Sequence, residues 1–492
     1  MDTQLDAIDP SVERNMAQLR QLFSDNALIS FQPVVNSKGM RCAAIAYLSV
    51  LIDEQRFYQY IVPKIHEALF DSNHSEEETV LEAIRTFGLV SALPKLNSAA
   101  QMISSAGIVV FIEGRSEAYG FALPGYERRS VDEPKLEPNV RGPREGFIED
   151  LQVNLGLVYR RLKTSKLKSK SYVVGIESQT NVMILYLEDQ VDKQVLAEVE
   201  ARMASIRLNV VVDNAQIEEW IQDSPYSPFP QIQNTERPDR VATALNQGKV
   251  AILSDGSPSA LLAPAAFTDF LHPSEDLYEK FYFANFLRLL RLVTLFVSLF
   301  GPSLYIALTT FHLEMIPTPL MQTFLSSKAG IPLPTFLEAF IMEVAFEVLR
   351  EASVRLPRAI GQSVSIVGAL VIGEAAVQSG IVSRPMVIVV AMTGIASFTI
   401  PSFNTAISLR LLRFPLIFIA AWTGVFGLAL GMYVIILHLC SLKSFGRLYL
   451  PAFDLRGWRE VIQQYVLLPI KHRSISKKDA LSSIGGHEHE DR

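Results

Sequence analysis

From Leu292 to Leu442 the chain is strongly apolar, with long runs that hold no Lys, Arg, Asp or Glu. A hydrocarbon core offers no water, so the backbone within it must satisfy its own N–H and C=O groups, as helices do. About 20 apolar residues cross a core of about 30 Å. The runs predict a polytopic α-helical membrane domain over residues 286–445, with spans near 288–311, 359–383, 385–409 and 414–442. Between the first two lies TTFHLEMIPTPL, polar and broken by proline. A helix over 335–356 follows, with Glu343, Glu347 and Glu351 on one face. Such an amphipathic helix lies in the membrane interface or lines a water-filled space. Local pairs, Glu347–Arg350 and Glu351–Arg355, favour a salt-bridged interfacial face.

One span carries an ionisable group. Glu374 sits within 359–383, where a charge at the helix centre costs about 2.5–3.5 kcal/mol on insertion scales. On a helix, Gly361, Ser365, Gly368 and Ala376 form a small-residue face suited to close packing. Ser363, Val367, Leu370, Val371, Glu374 and Gln378 fall on the other side. Glu374 either meets a polar space on that side, or caps the span at the interface or pairs with Arg384.

The rest of the chain is ordinary in charge. Over 492 residues the net charge is -6, which argues against nucleic acid as partner. The one basic cluster, Arg160–Lys170, reads as a solvated loop or as a patch touching anionic headgroups. The N-terminus lacks a basic n-region and an apolar core, so the part before the spans is expected in the cytoplasm. Cys42 and Cys440 allow no disulfide framework. There is no GxGxxG, Walker lysine, HExxH or Ser/His/Asp order, so neither an enzyme nor a cofactor or metal site is expected. Arg288 and Arg291 place the N-terminal side inside. Lys443, Arg447, Arg456 and Arg459 argue for an inside C-terminus, yet Arg350, Arg355 and Arg358 would then lie outside. Topology beyond the first span stays open.

Helical and alternating patterns predict an α/β cytosolic domain of two related α/β subdomains, residues 1–135 and 136–285, and a polar tail over 446–492. Helices are expected over 9–25, 57–69, 75–87, 144–162 and 193–206. Strands are expected over 27–35, 41–50, 107–113, 117–123, 172–176, 180–187, 249–253 and 259–263. IVVFIEGRSEA from Ile108 lines up with VAILSDGSPSA from Val250, and Tyr47 to Asp53 with Tyr186 to Asp192. The offset of about 140 residues suits a duplicated domain.

Six ordered segments carry a family resemblance: VRGPREGFIEDLQVNLGLVYRRL (140–162), SPFPQIQNTERPDRVATALNQGKVAILSDGSP (227–258), EDLYEKFYFANFLRLLR (275–291), ALTTFHLEMIPT (307–318), RLPRAIGQSVSIVGALVIGEAAVQSGIVS (355–383) and IASFTIPSFNTAISLRLLRFP (395–415). Along nearly its whole length the chain resembles the A subunits of bacterial spore germinant receptors, the GerA family. The resemblance implies a non-enzymatic, multi-pass subunit of the spore inner membrane, in contact with membrane lipid. It implies a permease-like B subunit and a lipoprotein C subunit as partners, and a homo-oligomer forming a nutrient-gated cation channel, around whose axis the Ser363, Val367, Leu370, Val371, Glu374 and Gln378 side would stack apolar rings against a carboxylate ring, with Glu374 facing the pore. The alternative is a non-conducting subunit that senses a ligand or holds a partner while ions pass elsewhere. Secondary transport would need inverted repeats among the spans, and none is visible.

Overall fold

The computed structural model describes residues 7–35, 41–65, 89–125, 133–134, 137–355, 368, 371–450, 466–467 and 469. The first α/β half comprises α1 (Val12–Leu22), β1 (Ile29–Val35), β2 (Arg41–Leu48), β3 (Ser91–Leu93), α2 (Leu96–Ser104), β4 (Gly107–Ile112) and β5 (Ala118–Ala122). The second comprises α3 (Leu151–Arg161), β6 (Leu167–Val174), β7 (Thr180–Leu187), α4 (Lys193–Ser205), α5 (Asn214–Ile221), β8 (Gln233–Thr235), α6 (Pro238–Asn246), β9 (Val250–Ser254) and β10 (Ala260–Ala263). Each half makes one antiparallel sheet, ordered β1-β2-β4-β5-β3 and β6-β7-β9-β10-β8. The second order repeats the first.

Strand β4, GIVVFI, is buried along its whole length. Successive strand residues point to opposite faces, so an unbroken apolar run needs cover on both sides. Val109 and Phe111 join one cluster with Ala44, Ala46 and Leu48. Ile108, Val110 and Ile112 join another with Ala43, Ile45 and Tyr47. The second sheet splits the same way. Met183, Leu185, Ala251 and Leu253 enter the cluster that holds Val109, while Val182, Ile184, Val250 and Ile252 form an outer core. Corresponding faces of the two sheets therefore share one core, filled from α1, α2, α3 and α6.

The repetition extends to individual bonds. Ile45 pairs with Val110 as Ile184 pairs with Ile252, and Leu93 with Ala118 as Thr235 with Ala260. The Glu113 carboxylate accepts from the Val12 N–H, and that of Asp255 from the Leu151 N–H, so each caps the helix that opens its half. Asn15 exchanges two hydrogen bonds with the backbone of Asp9, and Asn154 two with Ile148. The expected duplication is thus present in topology, register and capping.

Several elements differ from the sequence reading. Helix α3 starts at Leu151, where Asp150 accepts from the Gln152 and Val153 N–H groups. The basic cluster runs from the end of α3 through a turn into the first residues of β6. Lys168 is 2 % exposed and donates to the Leu22 carbonyl, Lys170 pairs with Glu200, and Arg160 and Arg161 pair with Glu145. These cations are taken up by partners within the chain. The helix expected over 75–87 lies outside the described residues.

The helical part comprises α7 (Phe281–Phe311), α8 (Thr318–Lys328), α9 (Thr335–Arg355), α10 (Arg384–Phe398) and α11 (Phe403–Ser441), with a further helical stretch over 371–378. Among the described residues, α7 and α11 are long and apolar enough to cross a membrane, and α10 is a shorter apolar helix. The run expected over 385–409 is split: α10 ends at Phe398, shortly before Pro401, and Ser402 caps the start of α11. Arg410 and Arg413, expected between two spans, instead sit inside α11. This helix of 39 residues breaks at Gly424, where φ is 63° and ψ -145°. A Cβ there would stand 2.8 Å from His312 Cε1 and 3.0 Å from Phe311 Cβ, so conformation and close approach both demand glycine.

By contact, one unit holds Met1–Pro225, Ile232–Ala265 and Ser444–Gly446, and the other holds Tyr226–Gln231, Ala266–Lys443 and Arg447–Arg492.

Candidate functional site: charged groups among the helices

Carboxylates four apart on α9 share a face, and arginines three apart on α11 do the same. The two faces meet. Glu343 pairs with Arg413, each side chain 5 % exposed, and Glu347 pairs with Arg410 at 2.9 Å. Arg413 also donates from Nε to the Ser298 carbonyl of α7 at 2.9 Å. Arg350 lies 3.6 Å from Glu347, donates to Ser397 Oγ of α10 at 2.7 Å and stacks over the Phe398 ring at 4.7 Å. Four helices are tied through three guanidinium groups. Of the acidic face, Glu343 is buried against α11, where Arg413 compensates it, while Glu347 stays partly exposed and Glu351 exposed. The expected Glu347–Arg350 pair is present beside the longer-range one. The side chain of Arg355 lies outside the described residues. An open groove of about 590 Å³ borders the network, lined by Val344, Glu347, Val348, Glu351, Ala352 and Phe414.

Of the residues assigned to the two faces of 359–383, Gly361, Ser363, Ser365, Val367 and Leu370 lie outside the described residues. Gly368 sits against Leu349 of α9, where a Cβ would stand 2.6 Å from Leu349 Cδ1. Ala376 packs on the apolar cluster of Ile306, Met342 and Met386. Val371, Glu374 and Gln378 are exposed on this chain, and Gln378 Nε2 donates to Glu374 Oε1 at 2.9 Å.

At the start of α7, Asp276, 1 % exposed, accepts from Arg288 Nε at 2.9 Å and from Arg291 Nη1 and Nη2 at 2.9 and 2.8 Å. The two arginines read as topology markers are thus partly neutralised by one buried carboxylate. Beside them burial, then Arg288, holds the His272 imidazole down at about 4, so it is neutral at pH 7. The 226–231 segment docks on α11 and the chain after it. Ser408 donates to the Pro228 carbonyl, Ser227 bonds His438 at 2.9 Å, and Tyr449 donates to the Pro230 carbonyl at 2.7 Å. Sequence reasoning missed both clusters. Their partners are far apart along the chain, and only the acidic face on α9 left a periodic signal.

The profile of the Bacillus/Clostridium GerA spore germination protein family matches residues 17–477. The chain belongs to the GerA family. The GerA match covers both sheets and helices α7–α11. Uncharacterized membrane protein YfkQ of Bacillus subtilis (strain 168) is 42% identical over 95% of this chain and 91% of its own. Spore germination protein KA of the same organism is 38% identical over 96% of this chain and 88% of its own. The crystal structure of the N-terminal domain of the A subunit of the Bacillus megaterium spore germinant receptor GerK3 aligns at 24% identity and a TM-score of 0.42, covering 54% of this chain and 98% of that one.

Proposed function

We propose that this GerA-family protein is the A subunit of a spore germinant receptor in the spore inner membrane, with its α/β part in the cytoplasm. It assembles with a permease-like B subunit and a lipoprotein C subunit, and copies of it form a cation channel that opens when nutrient is sensed. The observation that carries the conducting role is the exposed Val371, Glu374 and Gln378 edge of the 371–378 helix, whose opposite side packs through Ala376. A carboxylate and its amide partner left uncovered in an apolar helical part suit a water-filled axis between copies. Val367 and Leu370 extend that edge in the sequence.

The test is ion flux through the assembled receptor in vesicles. Val371→Ala is expected to raise nutrient-independent cation leak, and Glu374→Gln to lower cation passage several-fold. Unchanged flux in both variants would remove this helix from the conduction path. The binding-and-scaffold role would then stand, with ions passing through another subunit.

A further inference from the structure

Glu338 differs from the other inward carboxylates of α9. Glu343 and Glu347 each have a guanidinium partner, whereas Glu338, 0 % exposed, has none within ion-pair distance among the described residues. Its Oε2 accepts from the Ser383 N–H at 2.8 Å, and its Oε1 meets no donor among the described residues. Two more buried oxygens in the same place, Tyr305 Oη of α7 and Ser383 Oγ, have no partner of ordinary hydrogen-bond geometry among the described residues, although the two hydroxyls lie near enough to interact with each other. Tyr305 adjoins Ser383 and lies within electrostatic reach of Glu338. Ser383 is the N-cap of α10, where a serine hydroxyl ordinarily accepts from the helix's own N–H groups, yet here it makes no such bond. Lys328, which feels Glu338 only at longer range, donates to Thr335 instead. The walls are apolar, made by Ile306, Ala339, Met342, Val382 and Met386.

A buried carboxylate without a counter-charge costs several kcal/mol. We infer that Glu338, Tyr305 and Ser383 form a binding site for one small monovalent cation, joining α7, α9 and α10. Three hard oxygens on three elements supply the donors. A single carboxylate with two neutral hydroxyls matches one positive charge; a divalent ion would leave a net charge buried and ordinarily draws more carboxylates. The site is separate from the exposed Glu374 edge and stands whether or not the protein conducts.

The test is thermal melting of the purified full-length protein in detergent, in NaCl, KCl, MgCl2 or N-methyl-D-glucamine chloride at equal ionic strength. A ligand that binds only the folded state raises the melting temperature saturably. The expected result is a saturable rise of about 2–4 °C with Na⁺ or K⁺ over N-methyl-D-glucamine, the size a stabilisation of about 1 kcal/mol produces in a domain of 150–250 residues. The rise should be absent in Glu338→Gln and at least halved in Tyr305→Phe and Ser383→Ala. No alkali-specific rise in the unaltered protein overturns the inference. A rise with Mg²⁺ alone, or a full rise retained in Glu338→Gln, overturns it as well. Should Glu338→Gln fail to fold, a full rise in both hydroxyl variants decides against the site.

Discussion

Arg413 sends its charge to two helices at once, into the Glu343 carboxylate of α9 and the Ser298 carbonyl of α7. Surface ion pairs are worth little, but breaking a buried pair from one side leaves a charge with neither water nor partner. Arg413→Ala should therefore cost about 3–5 kcal/mol. Adding Glu343→Gln should restore part of that loss, since the carboxylate left behind is its main source. Unfolding in detergent by heat or denaturant measures both. If the double variant is no more stable than the single one, the pairing does not hold these helices together. The sequence shows which α9 carboxylates share a face, because that follows from a period near 3.6. It does not show what they face. Arg413 lies 70 positions from Glu343, and no local pattern names such a partner.

Among elements, α11 illustrates how far hydrophobicity alone reaches. Its apolar length is evident in the sequence, and so is the start of an apolar run after Arg413. The continuous helix through two arginines is not, because a charged pair ordinarily marks a loop, and partners on α9 and α7 hold them inside. Gly424 is equally silent until its neighbours are known. Gly424→Ala places a side chain where φ is 63° and His312 stands 2.8 Å away. A loss of about 1–3 kcal/mol is expected from the backbone strain, more with the clash. Gly394→Ala, mid-helix in α10 with open space beside it, should instead hold or raise stability by about 0.5–1 kcal/mol. Melting of the two variants side by side checks the contrast. Equal losses would mean that the bend at Gly424 imposes no special requirement.

At the scale of the whole molecule, the duplicated α/β part was the most legible feature. Doubly covered strands such as β4 and β9 must be apolar on both faces, so their runs stand out and align. The edge strands β3 and β8, each three residues long, carry no such signal, and neither does the asparagine clasp that opens each half. What the repeat could not reveal is that corresponding sheet faces share one core, with the helices that cover them. Leu155, Leu185 and Leu253 of the second half are buried in a core that also holds Leu19, Val109 and Phe111 of the first. Residues 136–265 produced alone would expose that face, and an apolar surface of this kind drives association. Light scattering on a sizing column should find the fragment self-associated, and co-production with residues 1–135 should draw it into a one-to-one complex. A monodisperse, folded monomer of either fragment would contradict the shared core.

The core shared by like faces also bears on how such a chain can arise. A polypeptide carrying one of these halves would have had to find a second copy of itself to become stable, and at low abundance it would fail. Joining the two copies end to end makes the encounter intramolecular, so stability no longer depends on how much protein is made. Once joined, the halves are free to diverge on their outward faces while the inward ones stay matched.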